Sequence, residues 1–350
     1  MITLNESGDV MSKSTHFMKL KQINIDMVKD VLKDSEYCTK MSISKDTGLS
    51  VATCGNILSE LLVTGEVIEV ELEASTGGRP ARRFVYNENY ASVASVYFRK
   101  EGDVDSMVCV VSNLLGEPIF EESIEENNIS IQTIESTIDT LIHKFPNLKV
   151  LALGIPGVVH QGNIGYSHFE SLAYFPIEEK LMEKYNLLVI AENDMNATAV
   201  GFYNSYVKDK PENLAYLYYP KDGISGAGII VNGRVVKGHT NFAGEISFLP
   251  LGLNYDQQRQ VQKNPQAFAK YIGDVIATVN GIINPEKVVL CGYYFTGDLN
   301  PLIQNNLSES IPKDHLPDLI FETDIHKSYL NGLTHLALEQ LRCDIEIIER

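Results

Sequence analysis

Residues 42–67 read SISKDTGLSVATCGNILSELLVTGEV, and the punctuation of this stretch decides how the chain begins to fold. Ser42–Thr47 fits a short helix, and Gly48 stops it, because glycine takes the left-handed conformation that ends helices. Ser50 can then accept from the free amides of a following helix. That helix carries Cys54, Ile57, Leu58, Leu61 and Leu62 at helical spacing and ends at Gly65. Upstream, Ile25, Val28, Val31 and Leu32 repeat in the same way and predict an earlier helix. Downstream, VIEVEL (67–72) alternates as a strand does, STGGRP (75–80) breaks it, and RRFVYN (82–87) resumes extended structure. Three helices and a hairpin predict a winged helix-turn-helix domain over residues 17–89, preceded by a loose polar arm over 1–16.

A helix-turn-helix lays its second helix in the major groove with the first residues toward the base edges. Here those residues are Val51, Ala52, Thr53 and Asn56. Methyl groups of Ala and Thr suit the thymine methyl, and Asn can pair with adenine through two hydrogen bonds. The helix holds no Lys or Arg, so phosphate neutralisation falls to Lys40, Lys45, Arg79, Arg82 and Arg83. An arginine at a hairpin tip is well placed to enter a minor groove. The same elements would equally serve a domain that contacts protein and carries a solvated basic hairpin, since fold does not fix function.

The whole chain has 350 residues and a net charge of −17, which disfavours indiscriminate binding to nucleic acid. The charge is uneven. Residues 11–90 hold ten Lys or Arg against eleven Asp or Glu, whereas the remainder holds nineteen against thirty-five. Five scattered cysteines, with no CxxC pair, predict buried thiols rather than disulfides or a zinc site. No apolar run approaches the ~18–20 residues of a membrane span, and no leader is evident, so the expected location is the cytoplasm.

Beyond Asn89 the pattern changes. SVASVYF, MVCVVSN and PIFEESI read as successive strands, and a helix fits 131–145. VLALGI follows and ends at Pro156–Gly157, then LLVIAEN and a helix from Asn196. AYLYY and GAGIIVN are further strands, with a helix over 267–283, the strand KVVLCG and a last helix near 329–341. Hairpins followed by strand–helix alternation predict mixed α/β lobes.

Both halves resemble the ROK family. GGRP (77–80) after the helix-turn-helix is similar to the hairpin of its repressors. GIPGVV (154–159), ENDMNATAVG (192–201), GAGIIVNGRVVKG (226–238), AGEI (243–246) and NPEKVVLCG (284–292) follow in the family's order. The resemblance implies a two-lobed, actin-like (ribonuclease H-like) sugar-kinase-type fold over residues 90–350. It also implies an effector pocket built on Pro156, Gly157, Asn193, Asp194 and Glu245, with Asp194 at the place of the catalytic base. Carboxylate and amide oxygens suit vicinal hydroxyls. The family's nucleotide elements do not match. Residues 97–108 read YFRKEGDVDSMV, where Asp-x-Gly-x-Thr would stand, and Asp222, Gly223 and Ile224 replace Gly-Thr-Gly. Cys291, Gly292 and Tyr293 replace a Gly triplet, and Phe248, expected as an apolar wall, stands at the position of a zinc-binding His.

The expectation is therefore a non-enzymatic repressor without cofactor or metal. It would bind double-stranded operator DNA as a homodimer or dimer of dimers and answer to a carbohydrate effector. A ligand-independent regulator or interaction module is the first alternative, and an ATP-dependent sugar kinase the second.

Overall fold

A computed structural model describes residues 7–70, 82–101, 104–126, 129–167, 169–207, 212–221, 224–295 and 297–342. The chain divides into two compact units. One comprises the described residues of Met1–Ser92, Asn113–Glu117 and Leu338–Arg350, and the other those of Val93–Ser112 and Pro118–Ala337.

The first unit holds α1 (Ser7–Lys33), α2 (Lys40–Thr47), α3 (Val51–Thr64), β1 (Val67–Val70) and β2 (Arg83–Tyr86). Thr39 and Ser42 form a reciprocal capping box at α2, and Gly48 ends it with φ of +73°. Ser50 accepts from the Thr53 amide, and Gly65 closes α3 at φ +84°. β1 and β2 pair antiparallel, Val67 opposite Tyr86, and Cys38 adds a bridge to Phe84. Val28, Leu32, Ile43, Cys54, Leu58 and Phe84 form the core, against which Leu338 and Leu341 also pack. The loose arm expected over 1–16 is corrected from Ser7 onward, where helix α1 already runs. After Gly8 nothing up to Lys33 is Gly or Pro, so no residue there interrupts a helix. The tip of the expected hairpin, residues 71–81 with Arg79 and GGRP, lies outside the described residues.

The second unit contains two five-stranded sheets of one topology. In the first, β3 (Ser92–Glu101), β4 (Val104–Ser112) and β5 (Pro118–Glu125) are joined by β6 (Leu148–Ile155) and β9 (Leu188–Asn193), in the order β5-β4-β3-β6-β9. α4 (Ile131–Lys144) precedes β6, while the hairpin β7 (Gly157–His160) and β8 (Asn163–Ser167) and helix α5 (Ile177–Tyr185) follow it. α6 (Asp194–Tyr206) leads to the second sheet. There β10 (Leu214–Tyr219), β11 (Gly226–Val231) and β12 (Arg234–Val235) are followed by α7 (Tyr255–Val261), α8 (Pro265–Ile283) and β13 (Lys287–Gly292). α9 (Leu299–Ser310), β14 (Asp318–Glu322) and α10 (His326–Glu339) complete the unit, and the sheet order is β12-β11-β10-β13-β14.

Each sheet thus begins with antiparallel neighbours and ends with a parallel pair, β6 with β9 and β13 with β14. VLALGI is apolar throughout because β6 is buried on both faces, as central strands flanked by helices are. α8 turns Phe268, Ile272, Val275, Ile276 and Val279 inward, with Asn264 as its cap and Pro265 in its first turn. The helix expected from Asn196 starts at Asp194, because Asn193 is its cap. Cys38, Cys54, Cys109 and Cys291 are free and buried, as the sequence predicts, and Cys343 lies outside the described residues. No helix among the described residues is long and apolar enough to cross a membrane.

Candidate functional site

Ligands of α/β sheets gather at the carboxyl ends of parallel strands, and β6 and β9 end side by side at Ile155 and Asn193. Asn193 caps α6: its Oδ1 accepts from the amides of Met195 (2.9 Å) and Asn196 (3.0 Å). Its Nδ2 donates to the Gly157 carbonyl at 2.9 Å, tying the end of β9 to the turn after β6.

Buried Glu192 holds this corner in place. Its Oε1 accepts from the Asn193 amide and from Asn196 Nδ2, and its Oε2 pairs with Lys237 at 2.6 Å. Gly154 provides room, since a side chain there would run into the Tyr329 hydroxyl.

Asp194 is partly buried at the first position of α6, and its Oδ1 accepts from the Met195 amide at 2.9 Å. A helix N-terminus favours a carboxylate, but burial outweighs it here. Burial first, and then the nearby Glu245, push the Asp194 carboxyl up to about 7. Glu245 is itself raised by burial. Its position is set by Gly244, whose φ of +97° and missing side chain let the loop meet the Ala227 backbone, with Ala227 N donating to Gly244 O at 2.8 Å. Such raised carboxyls can hold a proton or accept hydrogen bonds near neutral pH, and they accept well from ligand hydroxyls.

Pro156, Gly157, Asn193, Asp194 and Glu245 line one cavity of about 210 Å³. That volume lies below the ~300–1,000 Å³ usual for drug-sized ligands and suits a small molecule. Phe248 is not part of it. The turn 246–248 points Ile246 inward and leaves Phe248 63% exposed, with its ring 5.3 Å from that of Phe242. The expected apolar wall is corrected accordingly. The cavity instead gains Phe98, Arg99, Tyr218, His326 and Tyr329, from β3, β10 and the start of α10. No sequence signal marks these residues, because the fold brings them in from separate segments. Asp222 and Gly223 lie outside the described residues. Ile224 lines the cavity, Cys291 is buried at the end of β13, and Tyr293 is exposed.

In the first unit, Val51, Ala52 and Asn56 are exposed on α3 and Lys45 is exposed on α2. Thr53 is partly buried and its hydroxyl is bonded to Ser50 at 2.8 Å. Arg82 pairs with Glu69 at 3.1 Å, and the Arg83 guanidinium lies 3.8 Å from the Tyr37 ring centre.

Residues 101–254 match the ROK family. The chain is 28% identical over 251 residues to the xylose repressor of Caldicellulosiruptor bescii, covering 68% of this chain and 61% of that protein. It is 24% identical over 246 residues to the DNA-binding transcriptional dual regulator NagC of Escherichia coli K12, covering 65% and 60%. The match thus spans about three fifths of the length of each of those regulators. Among solved structures, a ROK family transcriptional regulator homologous to the E. coli MLC protein superposes with a TM-score of 0.67. That match covers 92% of this chain and 99% of the regulator, at 19% identity. A ROK hexokinase from Thermus thermophilus gives 0.58 over 71% and 99%, at 18% identity. These likenesses show a mixed α/β fold shared with sugar kinases.

Proposed function

Because the chain carries a ROK-family domain across residues 101–254, we propose that it is a sugar-responsive transcriptional repressor. In this reading the first unit is a winged helix-turn-helix that binds operator DNA, and the second is a two-lobed, kinase-like effector domain without catalysis. The observation that carries it is one of extent. The likeness to the ROK transcriptional regulator reaches 92% of the chain, whereas the likeness to the hexokinase stops at 71%. The first unit supplies what a reader of DNA needs: a capped α3 with Val51, Ala52 and Asn56 exposed at its start. Lys45, Arg79, Arg82 and Arg83 are the cations assigned to phosphates.

The protein acts as a cytoplasmic homodimer, in which two copies of α3 meet two operator half-sites at a fixed spacing. A carbohydrate in the cavity hydrogen-bonds to Asn193, Asp194 and Glu245. It releases the operator only by binding the lobe arrangement of the free protein more tightly than that of the DNA-bound protein.

Selection of genomic fragments by the purified full chain at near-physiological salt tests the reading. Enrichment of one palindromic motif, weakened by Arg82→Ala with Lys45→Ala, is expected. A folded protein that enriches no sequence, even at low salt, overturns it. ATP-dependent phosphorylation of a sugar, abolished by Asp194→Asn, would overturn the non-enzymatic part.

A further inference from the structure

Two aromatic rings stand in solvent beside the cavity without lining it. Phe242 is 48% and Phe248 63% exposed, with ring centres 5.3 Å apart and planes tilted by 57°. Their main chains bracket Glu245. The Glu245 amide donates to the Phe242 carbonyl at 3.4 Å, and the Phe248 amide donates to the Glu245 carbonyl at 3.1 Å. The segment that carries Phe242 is pinned on both sides. Before it, Asn241 Nδ2 donates to the Val159 carbonyl at 2.5 Å, next to Val158 of the cavity wall. After it, Ala243 lines the cavity, and its amide donates to the Lys237 carbonyl at 3.2 Å. Lys237 is itself paired with buried Glu192 at 2.6 Å. Phe248 follows buried Ile246, which anchors its turn. Both rings thus project from fixed backbone, which spares a ligand part of the ordering cost of binding.

Two neighbouring rings left in water forgo the burial that apolar surface favours, and grouped apolar side chains beside a pocket mark a contact surface. Size decides what covers them. An aromatic side chain can bury about 150–250 Å², so at these exposures the pair offers roughly 200 Å². A stable protein interface takes about 800 Å² from each partner, several times more. A single small ring is enough to cover the pair. Sugar rings carry hydroxyls around the edge and C–H groups on the faces, and the negative face of an aromatic ring attracts such C–H groups. The hydroxyls of the same ring can reach for Glu245, which burial keeps raised and which lies between the two aromatic residues in the chain. The cavity of about 210 Å³ is below the size usual for drug-sized ligands, so a sugar of two rings has to extend past it. We propose that Phe242 and Phe248 form a second sugar subsite and that the effector is an oligosaccharide of two or more units. Its end unit occupies the cavity on Asn193, Asp194 and Glu245, and its next unit lays a C–H face on the aromatic pair. This deepens the effector reading above and rests on it.

Titration calorimetry of the full chain tests it with xylose and xylobiose, glucose with cellobiose and maltose, N-acetylglucosamine with its β-1,4 dimer, and the methyl glycosides of xylose and glucose. At least one disaccharide should bind about tenfold or more tightly than its monosaccharide and the matching methyl glycoside, corresponding to ~1.4 kcal/mol. Phe242→Ala with Phe248→Ala should bring that disaccharide down to the affinity of its monosaccharide, in a protein whose melting is otherwise normal. Phe248→Tyr, which keeps a ring, should retain most of the preference. Monosaccharides binding as tightly as every disaccharide overturn the proposal and leave the effector reading standing. A preference that survives the double substitution also overturns it, as does a methyl glycoside that binds as well as the disaccharide. A double variant that changes the oligomeric state in sedimentation but not the preference assigns the pair to a protein contact and overturns it as well. If no carbohydrate of either length binds, the effector reading falls and the proposal falls with it.

Discussion

Asp194→Asn should stabilise the protein, and only above acidic pH. Asp194 is held partly buried beside Glu245, with a carboxyl pKa of about 7 in place of 3.8. Between those values the native state binds a proton that the unfolded chain has lost, so the native state is favoured less as pH rises. Stability tied to this group is complete below pH 3.8, falls as pH climbs toward 7, and is constant above it. The displacement converts to at most about 4 kcal/mol. Relaxation and water entry bring the expected effect to about 2 kcal/mol. Asparagine keeps the oxygen that accepts from the Met195 amide at 2.9 Å, so the substitution removes charge with little loss of bonding. In thermal melting of the second unit, the variant's advantage should grow from near zero at pH 4 to roughly 4–8 °C at pH 8. An advantage independent of pH, or a variant less stable at pH 8, would refute the assignment. Such a cost at a residue lining the cavity is what a binding role predicts, since stability is commonly traded for function.

Three further outcomes follow from the packing and the surface. Gly332→Ala would place a side chain into the backbone of Ala197 and Gly201 across the contact of α10 with α6. It should therefore cost about 3 kcal/mol or more in urea unfolding, whereas Gly281→Ala, which meets nothing within 4 Å on α8, should be neutral or stabilising by up to ~1 kcal/mol. Ser50→Ala removes the acceptor for the Thr53 amide at 3.1 Å and should destabilise the first unit by about 1 kcal/mol, read from its melting. Glu69→Gln frees Arg82 from its ion pair and should tighten operator binding in fluorescence anisotropy, with a salt slope steeper by up to about one. Unchanged binding there would place Arg82 away from the phosphates.

Much of the fold was legible because local rules and tertiary demands agree. Ser50, Gly48 and Gly65 cap and end helices by bonds and backbone angles confined to a few residues. VLALGI is apolar on both faces because a central strand must be. The elements the sequence reading missed carry weaker local signals. α5 and α9 are short helices with polar faces, the β7–β8 hairpin is brief, and β14 is a strand with no fully buried residue. Phe248 was misplaced because a motif position fixes the neighbourhood of a residue but not the side of a three-residue turn on which it lies.

Sequence by itself determined the three helices and antiparallel strands of the first unit and the α/β character of the second, while the grouping of Asn193, Asp194 and Glu245 came from the resemblance of its ordered motifs to the ROK family. Each of these rests on periodicity, capping or ordered motifs, which act over short stretches of chain. Tertiary structure alone decided that Arg99, Tyr218, His326 and Tyr329 share their cavity, and that Asn193 spends most of its amide on capping α6. It also decided that Asp194 loses enough water to behave as a near-neutral acid. The physical reason is common to all three. Desolvation and charge–charge interaction depend on which distant segments are packed around a group, and no short stretch of sequence records that packing.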